Sequence, residues 1–192
     1  MILLDPDLDP DPPSRRQSTV RVAAAKRIRA SERLPVSRTQ RVPSARALAR
    51  FLAEAQAAVR LRGQVTVLLT TDMAVRKLNR EFRGIDKATD VLSFPAQSLP
   101  GFEVAGDLAI SVPKAMRQAG EQGHALSVEV KVLMLHGLLH LAGYDHETDT
   151  GQMARRERLL RARLGLPQGL IERVTSEPAK KSGVAVRRSR RP

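Results

Sequence analysis

The chain has 192 residues, of which 42% are apolar, and it carries a formal net charge of +13 with no cysteine. That length suits one domain with some irregular sequence, and without cysteine any metal must be held by histidine or carboxylate ligands. The longest stretch free of Asp, Glu, Lys and Arg, residues 132–144, is too short to cross a bilayer, and no secretory signal opens the chain. We therefore expect no membrane contact and a cytoplasmic location.

Most of the basic charge lies in the two flanks of the chain. Residues 1–44 hold a short candidate strand, Ile2–Leu4, followed by an Asp/Pro-rich run and an Arg-rich insertion. Residues 173–192 form a second basic segment that ends in RRSRRP. Neither flank has enough apolar residues to offset the entropy of ordering, so we expect the insertion and the tail to be disordered. Basic arms of this kind bind RNA phosphates or only increase solubility, and charge alone leaves both open.

Apolar periodicity and turn residues predict an ordered domain over residues 45–172. Strands are expected at Ile2–Leu4, Val65–Leu69, Val91–Phe94 and Asp107–Ser111. Helices are expected at Ala45–Val59, from Asp72 to about Phe82, after Ser111, at Val128–Leu141 and from about Thr150 to Leu164. The intervening loops are Arg83–Asp90 and a mobile connection at Gln97–Val104. Three to four strands and about five helices predict a single compact α+β domain with a small mixed sheet.

Residue spacing also assigns caps and faces within the helices. Asp72 is the expected N-cap of the second helix, and Met73 is expected on its apolar side. In the last helix, Leu159 is expected inward and Arg161 outward. The segment Val128–Leu141 is apolar on nearly all sides, which predicts a central, buried helix.

Three of the four histidines lie in the string HGLLHLAGYDH. His136 and His140 are four positions apart on the predicted helix, so they project from one face and can share a metal ion. Gly143 favours a left-handed turn, which lets His146 approach the same ion. Three neutral imidazoles leave a fourth position for water, which is typical of a catalytic zinc site. The sequence therefore predicts one Zn²⁺ ion on these three histidines, at the end of the central helix.

The same spacing leaves other interpretations open. It also occurs in metzincin peptidases, in which a general-base Glu follows the first histidine. Here that residue is Gly137, which weakens a peptidase interpretation without weakening the metal site. Without a metal, His136 and His140 would be core histidines. Asp145 either orients one imidazole or belongs to a turn, and His124 lies outside the cluster.

Three motifs resemble the YbeY family of bacterial rRNA-maturation endoribonucleases. They are the histidine string, LNREFRGIDKATDVLSFP at residues 78–95 and GDLAIS at residues 106–111. The resemblance covers about residues 45–165. It implies a small α+β metalloprotein with one zinc ion, and a single-strand-specific endoribonuclease that matures the 3′ end of small-subunit rRNA and acts in ribosome quality control. The implied partners are rRNA precursors and the ribosome.

The resemblance also implies roles for individual residues. It assigns the metal to the three histidines and a role in activity to Arg83. An arginine that faces the metal can hold a phosphate and stabilise charge on its oxygens. The alternative for Arg83 is a surface ion pair with Asp86 or Asp90. Asn79, Asp90 and Ser93 are expected to organise strands and loops.

Two chemical routes and two rival functions remain open at the level of sequence. In one route zinc activates a water that attacks a phosphodiester clamped by Arg83. In the other, zinc acts as a Lewis acid while the RNA's own 2′-OH attacks, which leaves a cyclic phosphate. The rival functions are a zinc metallopeptidase-like hydrolase and a non-catalytic ribosome assembly factor with a structural zinc.

Overall fold

The computed structural model describes residues 1–8, 42–96, 103–146 and 148–168, which form a four-stranded sheet and five α-helices. The strands are β1 (Ile2–Leu4), β2 (Gln64–Thr70), β3 (Val91–Pro95) and β4 (Val104–Ser111). The helices are α1 (Ala45–Val59), α2 (Asp72–Arg83), α3 (Val112–Gln122), α4 (Leu126–Leu141) and α5 (Gln152–Arg163). The predicted α+β class, strand number and helix number are confirmed.

The sheet is mixed and has the order β1-β2-β4-β3. β1 and β4 run parallel to β2, whereas β3 runs antiparallel to β4. Parallel neighbours need a long connection, and the chain between β2 and β4 supplies it with α2 and β3. β3 therefore lies at one edge of the sheet, with β4 as its partner.

The two faces of the sheet pack against different helices. Since side chains alternate along a strand, Leu108 and Ile110 of β4 face one side and Ala109 faces the other. Leu108 and Ile110 join the main core with α1 and α4, in which most of α4 is buried. Ala109 packs with Leu92 of β3 and Val75 of α2. α4 and α2 consequently lie on opposite faces of the sheet, and the prediction of a central, buried α4 is confirmed.

Two glycines allow α4 to approach β3 and β4 closely. A Cβ atom on Gly137 would lie 2.7 Å from the Leu108 side chain and 3.2 Å from Ser93 Oγ. A Cβ atom on Gly106 would lie 2.3 Å from the Phe94 carbonyl oxygen and 2.8 Å from the Leu141 side chain, and Gly106 has a φ of +143°. The Ser93 hydroxyl donates a hydrogen bond to the Gly137 carbonyl oxygen at 3.3 Å. The C-terminal half of α4 is thus held against the sheet.

The structure corrects the predicted cap and apolar face of α2. Thr71, not Asp72, is the N-cap, because its side chain accepts a hydrogen bond from the Ala74 N–H at 3.3 Å. Met73 is 82% exposed rather than inward. α2 contacts the sheet through a narrow stripe that includes Val75, and Met73 lies two residues before it, about 200° away around the helix. The expectation for Met73 was therefore wrong.

Two residues of α5 also face the opposite way from the prediction. Leu159 is 61% exposed, whereas Arg161 is 4% exposed. The helix turns its face with Glu157 and Arg161 toward the protein, and the two side chains form an ion pair there. Burial of an arginine is tolerated because this carboxylate satisfies it. Periodicity alone could not reveal the pair.

Other predicted boundaries shift by a few residues or lie outside the described part of the chain. β4 begins at Val104, because its first residues still pair with β2 and β3. The predicted connection at residues 97–102, the Arg-rich insertion up to residue 41 and the basic tail at residues 173–192 fall outside the described residues. Within the described ranges, none of the helices is both long and apolar enough to cross a membrane.

Replacing Gly106 by alanine tests the close approach of α4 to the sheet. We expect Gly106→Ala to lower the free energy of unfolding by about 2 to 5 kcal/mol, because the new methyl group meets backbone and the φ angle disfavours any Cβ. The matched control is Gly120→Ala, which meets nothing within 4 Å and removes a helix glycine. Urea unfolding of both variants checks this, and equal stabilities would contradict it.

The carboxylate of Asp72 should contribute acid-sensitive stability. Burial raises its pKa, but hydrogen bonds from Ser111 and Arg117 outweigh burial and hold the pKa below its usual 3.8. The stability is present above pH 3.8 and is lost as the pH falls through the lower folded-state pKa. We therefore expect Asp72→Asn to be less stable at pH 7, with a smaller further loss on acidification below pH 4. Urea unfolding at several pH values measures both effects, and parallel pH profiles for the two proteins would contradict this.

Candidate metal centre

The end of α4 brings the predicted ligands together. His136 and His140 lie on its last two turns, and Gly143 follows with a φ of +88°. The Gly143 N–H donates to the His140 carbonyl oxygen at 2.9 Å, and the Tyr144 N–H donates to the Leu139 carbonyl oxygen at 3.0 Å. These hydrogen bonds reverse the chain immediately after the helix. The predicted left-handed turn is present, and it returns His146 to the other two imidazoles.

The three imidazoles have a geometry that could hold a metal ion. One ring nitrogen from each histidine lies within 4.8 Å of the others. His136 Nε2 and His140 Nε2 are 3.2 Å apart. Tetrahedral zinc with Zn–N bonds of about 2.0–2.1 Å needs ligand nitrogens about 3.3 Å apart. The His136–His140 pair fits that spacing closely, and a ring nitrogen of His146 lies within 4.8 Å of both.

The pKa of His140 supports the neutral form that binds metals. Burial lowers the pKa, and the neighbouring His136 and His146 lower it further, whereas Asp145 and the backbone of Tyr144 act in the opposite direction. The resulting pKa of His140 lies below its usual value of 6.5. At neutral pH the His140 ring therefore presents a nitrogen lone pair, as metal coordination requires.

Glu157 of α5 also contacts the histidine group, although the sequence analysis did not single it out. Its Oε2 atom lies 3.1 Å from His136 Nδ1, and its Oε1 atom accepts hydrogen bonds from Arg161. Burial raises the pKa of the Glu157 carboxyl, but His136 and Arg161 outweigh burial and lower it to about 2. A sequence signal did exist, because Glu157 is the one acidic residue of α5 and stands four residues before Arg161.

Asp145 and His124 lie outside the histidine group. Asp145 accepts hydrogen bonds from the backbone N–H groups of Thr148 and Asp149, and its carboxylate accepts one from the Thr148 hydroxyl at 3.1 Å. These contacts place Asp145 in the turn, and its charge also acts on His140. His124 precedes α4, and its Nε2 atom lies 3.2 Å from the carboxylate of the buried Glu129. His124 therefore lies just before α4 and outside the histidine group, as expected.

The segment after α2 is organised by side chains that the second motif contains. Asn79 Nδ2 donates to the Lys87 carbonyl oxygen at 2.7 Å, and the Asp90 carboxylate accepts from the Val91 N–H at 2.9 Å. Asp86 accepts two hydrogen bonds from Arg76, at 2.7 and 2.8 Å. Asp86, one of the two carboxylates considered as an ion-pair partner of Arg83, is therefore already paired with Arg76. These residues organise the loop, as the sequence analysis expected.

Arg83 is the last residue of α2, and its side chain is exposed. The ring of the preceding residue, Phe82, contacts Phe94 of β3 edge-on, with 5.2 Å between centroids. Phe94 in turn lies beside Gly106, which the side chain of Leu141 in α4 approaches. Arg83 and the end of α4 are therefore at the same end of the sheet, with the edge strand β3 between them.

Comparison with known proteins identifies the family. The sequence profile described as "Endoribonuclease YbeY" matches residues 30–165. The chain belongs to the YbeY family. Endoribonuclease YbeY of Koribacter versatilis is 53% identical over 139 residues, which are 72% of this chain and 89% of that protein. The Solibacter usitatus protein of the same name is 52% identical over 130 residues, which are 68% and 86% of the two chains.

A solved structure is also similar. The solution structure of TM1509 from Thermotoga maritima matches 64% of this chain and 85% of that chain, with 27% identity and a TM-score of 0.45. Membership of the YbeY family supports a ribonuclease function for this chain, and the three-histidine group is a site that could hold a metal.

Zinc binding should stabilise the protein through the three histidines. A ligand that binds only the folded state adds about 2.7 kcal/mol at a free concentration 100-fold above its Kd. We expect zinc to raise the Tm of the wild type, with reversal by a chelator, and to leave the Tm of His140→Ala unchanged. His124→Gln is the matched control, because His124 lies outside the group, and it should keep the zinc-dependent shift. An equal zinc shift in His140→Ala would contradict the assignment.

Proposed function

We propose that this protein is a cytoplasmic, zinc-dependent endoribonuclease that cleaves single-stranded RNA. Its proposed substrates are rRNA precursors, which it processes at the 3′ end of the small-subunit rRNA, and it would also act in ribosome quality control. The observation that carries the proposal is the group of three histidines at the end of α4, in a chain that belongs to an endoribonuclease family.

The histidines and Arg83 would have different roles at the scissile phosphate. His136, His140 and His146 would hold one zinc ion, which supplies Lewis-acid charge and lowers the pKa of a coordinated water. Arg83 would bind the phosphate through its planar guanidinium and stabilise the negative charge that develops on the oxygens. Gly84, with a φ of +70°, ends α2 immediately after Arg83 and leaves that side chain at the helix terminus.

The surface of α2 supplies positive charge for the RNA backbone. Three basic side chains of this helix, Lys77, Arg80 and Arg83, are exposed, and a fourth, Arg76, is exposed but paired with Asp86. Contacts between such residues and phosphates release counterions, so binding through them weakens as salt increases. Aromatic residues make up only 3% of the chain, which leaves little base stacking for sequence-specific recognition. We therefore propose that the ribosome or another partner determines which RNA bond is cleaved.

The environment of Gly137 argues against the peptidase alternative. In the metzincin pattern this position carries the general-base Glu. Here the Gly137 Cα faces Leu108 and Ser93 of the sheet, and even a Cβ atom would lie 2.7 Å from the Leu108 side chain. A glutamate at this position would point into the packed core rather than toward the histidines. The base of the peptidase mechanism therefore has no place at this position.

RNA cleavage by an Arg83 variant tests the proposed activity. We expect Arg83→Ala to lower the cleavage rate of a labelled single-stranded RNA, spanning the small-subunit rRNA 3′ end, by about 100-fold or more. A chelator should abolish cleavage by the wild type. Arg50→Ala on α1 is the matched control, because Arg50 is exposed and pairs only weakly with Glu54, and it should cleave normally.

The product ends and the binding data separate the alternatives. A 2′,3′-cyclic phosphate would identify attack by the RNA's own 2′-OH, whereas water attack cannot produce it. Salt-dependent RNA binding by a zinc-loaded wild type that cleaves nothing would overturn the nuclease proposal in favour of an assembly factor. Cleavage of unstructured protein that His140→Ala abolishes would favour the peptidase.

A further inference from the structure

We propose that Glu157 is a positioning residue that keeps His136 in the one neutral tautomer able to bind a metal, and that Arg161 makes a carboxylate necessary there. The inference rests on the metal site of the proposed function but not on the proposed reaction. It concerns His136 Nδ1, the ring nitrogen that faces Glu157 rather than His140.

The two oxygens of Glu157 contact different partners in a buried setting. Oε2 lies 3.1 Å from His136 Nδ1. Oε1 accepts from Arg161 Nε at 3.0 Å and from Arg161 Nη2 at 2.5 Å. The side chains of Glu157 and Arg161 are only 12% and 4% exposed. Because so little of either side chain reaches solvent, water cannot readily replace one of these partners.

The contact with Glu157 determines where the neutral His136 ring carries its proton. An ionised carboxylate only accepts hydrogen bonds, so His136 Nδ1 must be the donor. A neutral imidazole has one N–H, and a proton on Nδ1 leaves a lone pair on Nε2. His136 Nε2 is the atom that faces His140 Nε2 at 3.2 Å. Glu157 thus keeps the proton away from the nitrogen that would coordinate the metal.

Arg161 explains why a glutamine could not replace the carboxylate. A guanidinium only donates hydrogen bonds, so the group that faces Arg161 must be an acceptor. Glutamine has a single side-chain oxygen, which would turn to Arg161 and leave its NH₂ group toward His136 Nδ1. That NH₂ group needs an acceptor, which favours the His136 tautomer with its proton on Nε2. The isosteric substitution Glu157→Gln would therefore place the proton on His136 Nε2, the nitrogen that would bind the metal.

α5 is anchored so that Glu157 can act at a defined distance. The Asp149 carboxylate accepts hydrogen bonds from the backbone N–H groups of Gly151, Gln152 and Met153, at 2.6, 3.1 and 2.7 Å, which satisfies the start of the helix. Met153 and Leu160 are buried in the main core, one on each side of Glu157. The carboxylate is therefore carried by a helix that both its cap and its packing hold in place.

Metal affinity and the His136 tautomer in the metal-free protein test the proposal. We expect Glu157→Gln to weaken zinc binding by about 10- to 100-fold, measured by competition with a chromophoric chelator. In ¹⁵N–¹H correlation spectra of the metal-free protein, the His136 proton should lie on Nδ1 in the wild type and on Nε2 in Glu157→Gln. Glu54→Gln is the matched control, since Glu54 pairs with Arg50, four residues away on the exposed face of α1, and neither readout should change.

A double variant separates tautomer control from a merely structural role. In Glu157→Gln combined with Arg161→Met, the amide is free to turn its oxygen toward His136 Nδ1. We expect recovery of the Nδ1–H tautomer and of part of the zinc affinity, relative to Glu157→Gln alone. A merely structural role, in which the loss comes from the unpaired and buried Arg161 charge, predicts that the double variant regains zinc affinity while the His136 tautomer is the same in the wild type and both variants.

Specific outcomes would overturn the proposal. It fails if His136 of the metal-free wild type carries its proton on Nε2, a result that requires no variant to fold. It also fails if a folded Glu157→Gln binds zinc within about twofold of the wild type. A wild type that binds no zinc would overturn the proposed function, and the tautomer of its metal-free form would still decide the role of Glu157.

Discussion

The packing of α4 against β3 and β4 is the constraint on which the rest of the site depends. Gly137 and Gly106 remove the side chains that would separate the helix from the sheet, and the Ser93 hydroxyl holds the Gly137 carbonyl oxygen. This contact fixes the helix next to His136, so the direction of the ligand-bearing face follows from the sheet. Because interiors are closely packed, a shift of α4 would also move both histidines of the helix.

The electrostatics of the site follow from burial. Three imidazoles converge in the group of ligands, and negative charge comes from Glu157, which contacts His136, and from Asp145, which acts on His140. Arg161 neutralises the Glu157 carboxylate, and removing either partner would leave a buried charge uncompensated. A buried ion pair adds little net stability compared with apolar packing, so its contribution here is geometric. It holds one imidazole in one orientation, which is what a metal ligand needs.

The sheet separates the two halves of the proposed active site. α4 carries the metal ligands on one face, whereas α2 carries Arg83 on the other. Both lie toward the end of the sheet where β3 is an edge strand, and Phe82 and Phe94 connect α2 to that edge. A substrate that reaches both must therefore cross the edge strand.

Several features were determined by the sequence itself, because they depend on local spacing. Helical periodicity placed α1 and α4, and the i, i+4 histidines with Gly143 predicted the three-histidine group. Tertiary structure alone decided which polar residues became buried partners. Arg161 and Leu159 exchange the environments that periodicity gave them, and Glu157 reaches His136 across twenty-one positions of chain. Such contacts depend on the angle between α5 and α4. The local spacing of residues in the sequence does not determine that angle, because it is set by the packing of the two helices in the folded domain.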